Sequence, residues 1–264
     1  MPLKDTDLDT TRQPLILVTN DDGYDAKGIV ELVKMARGIG DVIVVAPSSA
    51  QSGKAHAITI NNYVRLEEIQ SEPGLKIYSV SGTPVDCVKM AINKVLDRMP
   101  DLLLSGINHG SNATVSAFYS GTMGASIEGA LNGIPSVGLS LCSYDSDANF
   151  DVAVKYSEMI VKNLLRNNSD KNICLNVNFP DIPESEFKGM KLCRQSMGVW
   201  KERFVEHEDP FGHPFYWLTG NFVNNEPESV DTDQWALDHG YGSIVPMNLD
   251  TTNYKALSNI GYLL

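Results

Sequence analysis

Two adjacent aspartates, Asp21 and Asp22, follow an unbroken β-prone apolar run, Leu15 to Thr19, in the segment Asn20-Asp21-Asp22-Gly23. Neighbouring carboxylates at a strand end repel each other at neutral pH unless a cation or a raised pKa compensates, and a divalent ion is the simplest compensation. The same residues also suit a tight turn, where aspartate accepts local backbone hydrogen bonds and glycine takes a positive φ. Alone, the segment favours the turn. Two other segments shift the balance: Ser52-Gly53, beyond the strand expected at Asp41 to Ala46, and Ser105-Gly106-Ile107-Asn108, at the end of the strand expected at Asp101 to Ser105. Carboxylate, hydroxyl and amide oxygens form a hard donor set suited to Mg²⁺, Mn²⁺ or Ca²⁺ rather than zinc. One ion held jointly by these loops would use all of them.

A phosphoryl group is the natural companion of such an ion. Ser105 to Asn112 reads as a loop in which Gly106 and Gly110 allow close backbone approach, and Asn108 and Asn112 supply amide groups. It reads equally as a flexible connection. Tyr119-Ser120-Gly121-Thr122 opens a helix expected from Thr122 to Asn132, so Ser120, Gly121 and Thr122 offer free N–H groups and hydroxyls to an anion, with simple capping by Thr122 as the plainer role. No histidine or lysine is visibly paired with Ser120 or Thr122, which makes them a phosphate cradle rather than nucleophiles. The five histidines lack a His-x-x-x-His spacing. His109, inside the Asn-rich loop, is either a surface residue or one able to reach a leaving group, and Lys54 is a candidate for local positive charge.

The elements that must position these groups alternate as in an α/β sheet. Strands are expected at Leu15 to Thr19, Asp41 to Ala46, Ala57 to Leu66, Lys76 to Val80, Asp101 to Ser105, Ser136 to Leu141 and Cys174 to Phe179. Helices are expected from Gly28 to Arg37, Thr83 to Leu96, Thr122 to Asn132 and Asp151 to Arg166, the second opened by a Thr83 cap with proline at its first position. In a mostly parallel sheet of this kind ligands bind beyond the carboxyl ends of the strands, where Asp21, Asp22 and Asn108 stand. A helix near Thr232 to His239 and a strand at Ser243 to Pro246 close the chain. The expected organisation is a flexible segment 1–14 and one α/β domain over 15–264, with a core at about 15–196 and 229–250 and an extended, aromatic-rich β excursion at about 197–228.

The chain has 264 residues, with 33 acidic against 21 basic side chains and a formal charge of −12. That balance argues against a nucleic-acid polymer or an anionic membrane as partner and leaves a small anion, provided a local positive source outweighs the global field. Cys87, Cys142, Cys174 and Cys193 form no Cys-x-x-Cys pair. With no signal-like start and no membrane-length apolar run, the expected location is the cytoplasm.

Taken in order, Asn20-Asp21-Asp22-Gly23, Ala46-Pro47 with Ser52-Gly53, Ser81-Gly82-Thr83-Pro84 with Asp86-Cys87-Val88, Ser105-Gly106-Ile107-Asn108 with Gly110 and Asn112, and Tyr119-Ser120-Gly121-Thr122 resemble the SurE family of survival-protein nucleotidases. Thr232-Asp233, Gly240-Tyr241 and Ser243 through Pro246 resemble the family's closing segment, whereas about Gly198 to Glu228 matches poorly. The resemblance implies a Rossmann-like three-layer fold whose C-terminal excursion joins subunits into a homodimer or homotetramer. It implies one Mg²⁺ or Mn²⁺ per subunit on Asp21, Asp22, Ser52 and Asn108, and hydrolysis of nucleoside 5′- and 3′-monophosphates. Some members also cut polyphosphate. Asn112, Ser120, Gly121 and Thr122 would then hold the phosphoryl oxygens, and Asp21 and Asp22 would be catalytic, either by attack or by activating water. A phospho-receiver module would need an aspartate where Asn108 stands, and a dinucleotide oxidoreductase would need a Gly-x-Gly-x-x-Gly turn where the carboxylates stand. A non-enzymatic metal- or nucleotide-binding protein stays open.

Overall fold

The computed structural model describes residues 12–167 and 172–263, so most of the segment expected to be flexible, 1–14, lies outside the described residues. Strand β1 (Leu15–Thr19) is buried along its whole length. Its alternate side chains serve two cores: Ile16 and Val18 face one apolar cluster and Leu17 the other. Burial on both faces is what an unbroken aliphatic run encodes, each such side chain contributing about 2 kcal/mol relative to exposure. Helix α1 (Lys27–Arg37) returns the chain to β2 (Asp41–Pro47), parallel to β1.

Strands β3 (Leu66–Glu72) and β4 (Leu75–Val80) form a hairpin whose second strand lies parallel to β2. The strand expected at Ala57 to Leu66 is absent; the chain there is irregular up to Leu66. Its backbone is held by side chains instead. Asp86 accepts from the N–H and hydroxyl of Thr59, and the Thr83 hydroxyl donates to the Ala57 carbonyl. Strand β3, fully exposed and rich in glutamate and glutamine, carries no apolar alternation to reveal it, as suits a charged edge strand.

Thr83 and Asp86 form a reciprocal capping box on α2 (Pro84–Met90), which continues as a π-helical turn over Ala91–Val95. Then come β5 (Leu102–His109), α3 (Gly121–Leu131), β6 (Ser136–Leu141), α4 (Asp151–Arg166) and β7 (Cys174–Phe179). The short β8 (Met190–Leu192) precedes a two-stranded antiparallel ribbon of β9 (Gly198–Glu208) and β10 (Pro214–Asn224). Helix α5 (Asp233–Asp238), β11 (Gly242–Pro246), α6 (Tyr254–Leu257) and a 3-10 turn at Gly261–Leu263 complete the described chain.

The main sheet has the order β3-β4-β2-β1-β5-β6-β7-β11-β8, parallel from β4 to β7. Helices α1 and α4 pack together on one face, α2 and α3 on the other. From β1 the chain first builds outward through β2 and β4, then returns to β1's other side with β5. The carboxyl ends of β1 and β5 therefore flank the topological switch point, where the loops diverge and a crevice opens.

Candidate metal and phosphate site

At the end of β1 the Asn20 side chain closes the turn on itself, donating from Nδ2 to the Gly23 carbonyl and accepting from the Gly23 N–H. Asp21 and Asp22 are thereby released in different directions. Asp22 meets the end of β5, where its Oδ2 accepts from the His109 N–H at 3.2 Å. Asp21 turns to α3, where the Thr122 hydroxyl donates to its Oδ1 at 2.5 Å.

Strand β5 does not end at Ser105 as the sequence pattern suggests. It runs through Gly106 to His109, with its register against β6 shifting between Ser105 and Asn108. Such a bulge re-aims the side chains that follow it. Gly106 is required there, because its φ is +139° and a Cβ would lie 2.3 Å from the Leu139 carbonyl oxygen. Beyond the bulge, Asn108 donates from Nδ2 to the Gly110 carbonyl, which leaves Oδ1 as its available donor atom for a ligand. His109 is the last strand residue rather than a loop residue, and its ring packs edge-on against Phe150.

Helix α3 is capped by Ser120, whose Oγ accepts from the Met123 N–H, and not by Thr122. Thr122 is fully buried and commits its hydroxyl to Asp21. Gly121 lets the helix end approach: a Cβ there would stand 2.9 Å from Cβ and 3.0 Å from Oδ2 of Asp21. Its N–H, in the first helical turn, has no acceptor in the helix and is free for an anion.

Burial raises the Asp21 pKa from 3.8 to about 6; the Thr122 hydroxyl works against this rise and the charge of Asp22 adds to it. Burial also raises Asp22, against the His109 N–H that lowers it. Among the described residues, neither carboxylate forms an ion pair. Two adjacent carboxylates, both made hard to ionise and without a protein cation, are suited to compensation by a divalent ion.

Ser52 stands exposed on the loop after β2, facing the same cavity. The loop is tied down on both sides of it: Gln51 donates its N–H to the Asp21 carbonyl, and Ala55 donates its N–H to the Tyr119 carbonyl. Farther along, His56 pairs with the buried Glu128 of α3, which also binds Lys89 of α2. Lys54 does not line the cavity, so the local positive charge expected of it is not supplied there.

Asp21, Asp22, Ser52, Asn108, Asn112 and Ser120 line one cavity of about 820 Å³, whereas Gly121 and Thr122 stand behind it. Asn112 is set by a network that strand periodicity alone does not show. Its N–H donates to Asn178 Oδ1, its side chain to Ser140, and its carbonyl accepts from Asn176, while Asn178 donates to Asn176. The ribbon contributes the rest: Trp200, Glu202, Leu218, Thr219 and Gly220 line the same space, with Tyr119 and Tyr144. Trp200 is fixed by its Nε1 donating to Ser116 Oγ at 3.3 Å. The aromatic-rich excursion expected at about 197–228 is the sequence signal for this ribbon; which way its faces point is a tertiary fact.

No three His, Cys, Asp or Glu side chains among the described residues converge on a metal-sized site. The fit rests on two carboxylates supplemented by hydroxyl and amide oxygens, a set that suits Mg²⁺ or Mn²⁺.

A parallel α/β sheet with paired carboxylates and a helix N-terminus at its switch point defines a small-anion site of the kind that uses a hard divalent cation. The family model described as survival protein SurE matches residues 16–202, and the chain belongs to the SurE family. It is 48% identical over 246 residues to the 5′-nucleotidase SurE of Flavobacterium psychrophilum, covering 93% of this chain and 95% of that one. It is 45% identical over 253 residues to the 5′-nucleotidase SurE of Bacteroides thetaiotaomicron, covering 96% and 97%. The crystal structure of the SurE protein from Aquifex aeolicus superposes with a TM-score of 0.81 at 37% identity, covering 95% of this chain and 99% of that one.

Proposed function

We propose that the chain is a 5′-nucleotidase that hydrolyses nucleoside monophosphates with one divalent ion, Mg²⁺ or Mn²⁺, held by Asp21, Asp22, Ser52 and Asn108. The observation that carries the reading is the adjacent pair of buried Asp21 and half-buried Asp22, without a protein cation among the described residues, on a cavity shared with the α3 N-terminus. The relatives named as 5′-nucleotidases agree with it.

When bound there, the ion would neutralise charge on a phosphoryl oxygen and on the developing transition state. The chain's own residues do the positioning. Thr122 and the His109 N–H hold the two carboxylates apart. The Ser120 hydroxyl and the second N–H of the Asn112 side chain, both on the cavity, would donate to the remaining phosphoryl oxygens, with the α3 N-terminus at Gly121 directly behind them adding its dipole. Asp22 Oδ1 accepts no hydrogen bond from the described residues, which makes it the acceptor available for a proton of the attacking water.

The same reading extends to assembly and location. The ribbon exposes apolar side chains on both its faces, Phe204 and Tyr216 on one and Trp217, 65% exposed, on the other, which a second subunit would cover in a homodimer or homotetramer. Residues 15–264 form one α/β domain in this reading, with the ribbon as its excursion, and the cytoplasm is its proposed location. All four cysteines are free, and no helix among the described residues is long and apolar enough to cross a membrane.

The test is phosphate release from 5′- and 3′-nucleoside monophosphates and short polyphosphate, with and without a chelator. Asp22→Asn is expected to abolish chelator-sensitive release while circular dichroism stays native. Full activity of that variant in Mg²⁺ or Mn²⁺ would sink the assignment.

A further inference from the structure

Glu202 is the third carboxylate on the cavity, and the phosphate chemistry gives it no task. It forms no hydrogen bond or ion pair with any described residue, unlike Asp21 and Asp22, which are held by Thr122 and His109. Its side chain is exposed, but the strand that carries it is anchored. Trp200, two residues earlier on the same face of β9, is anchored to Ser116, and that face is turned to the cavity. Directly across the ribbon stands Gly220, where a Cβ would lie 2.7 Å from the Lys201 carbonyl oxygen and 3.0 Å from the Cα of Glu202. No side chain from that position fills the space beside the carboxylate.

The cavity lining contains no lysine or arginine, so nothing from the protein neutralises Glu202. A phosphoryl group would be repelled by it, whereas a neutral hydroxyl donor would be bound. Its neighbours on the ribbon, Trp200 and Leu218, suit an organic moiety rather than an inorganic anion. A cavity of about 820 Å³ also exceeds what a phosphate alone requires and falls in the range of small-molecule sites. Carboxylates recur as acceptors for ribose hydroxyls in nucleotide-binding α/β folds, because a charged acceptor binds a sugar diol more strongly than water does once the sugar is held in place.

We propose that Glu202 accepts hydrogen bonds from the sugar hydroxyls of the nucleotide and makes the site select ribonucleotides over their 2′-deoxy counterparts. This rests on the nucleotidase reading. The ribbon is then part of the substrate site as well as an assembly surface.

The experiment compares kcat/KM for adenosine 5′-monophosphate and 2′-deoxyadenosine 5′-monophosphate, with p-nitrophenyl phosphate as a sugar-free substrate. The metal-loaded full-length protein is expected to prefer the ribonucleotide by about tenfold, the usual weight of one hydrogen bond to a charged group. Glu202→Ala should bring the ratio close to one and Glu202→Gln to an intermediate value, with the change mainly in KM. A ribonucleotide preference that survives in Glu202→Ala overturns the proposal, as does a wild-type protein with no such preference. A change in the ranking of bases or in tolerance of diphosphates, with the ribo-to-deoxy ratio intact, overturns it too. A wild-type protein inactive on all three substrates refutes the nucleotidase reading itself.

Discussion

Replacing Asp21 by asparagine should make the metal-free protein more stable. Asp21 is 3% exposed, and burial lifts its pKa from 3.8 to about 6. A displacement of that size corresponds to about 3 kcal/mol of free energy, good to within a factor of two. The sign follows from proton linkage. The folded state holds the proton more tightly than the unfolded state, so Asp21 costs nothing below the unfolded pKa and the penalty grows as pH rises between 3.8 and about 6. Above that range both states are ionised and the folded protein bears the full cost. Asparagine removes the charge while its Oδ1 can still accept from Thr122. For a chain of this length about 3 kcal/mol raises Tm by roughly 6–10 °C. The assay is thermal unfolding in excess chelator near pH 8 and again near pH 4, where the difference should vanish. Saturating Mg²⁺ or Mn²⁺ should reverse the order near pH 8, because ligand binding stabilises only the variant that retains the site. If Asp21→Asn melts at or below the wild-type temperature in chelator near pH 8, the account of Asp21 as a buried, uncompensated charge is wrong.

Gly121→Ala should cost about 1–3 kcal/mol in chemical denaturation and lower kcat/KM by about 100-fold, because the new methyl forces α3 and Asp21 apart. Thr122→Val keeps the buried shape but removes the donor to Asp21, and metal titration should show affinity weakened by about 10–100-fold. Asn178→Ala leaves the Asn112 N–H and Asn176 Oδ1 without partners, a loss of about 1–3 kcal/mol for each orphaned group in urea unfolding. Trp217→Glu together with Phe204→Glu, on the exposed ribbon, should shift the protein to a smaller species in light scattering while the melting of the sheet changes little; an unchanged mass would remove the ribbon from the assembly surface.

Much of the frame was written in local sequence. The aliphatic runs of β1 and β2 announce strands buried on two faces, since only a sheet covered on both sides hides so continuous a run. Thr83-Pro84 with Asp86 marks the start of α2, because a cap is satisfied within one helical turn. Asp21 and Asp22 were conspicuous for the same reason: acids directly after a buried strand need a local explanation. What local pattern does not carry is anything settled by partners distant in the chain. Ala57 to Leu66 has strand composition, yet Thr83 and Asp86 hold it out of the sheet. The loop expected from Gly106 is the continuation of β5, because β6 supplies pairing past the bulge. Thr122, expected as cap or phosphate ligand, is spent on Asp21 because α3 ends against β1.

By itself, then, the sequence determined the strand ends, the helix starts and the oxygen chemistry of Asp21, Asp22, Ser52 and Asn108, all of which depend on residue type and near neighbours. Only the tertiary structure decided that these ends meet. The order β2-β1-β5 puts the reversal of the sheet between the two carboxylates and the asparagine, and the ribbon brings Trp200 and Glu202 to the same cavity from about 180 residues beyond the carboxylates. The reason is physical: periodicity reports which face of an element is buried, whereas convergence depends on which elements pair, and pairing is settled by packing the whole chain at once.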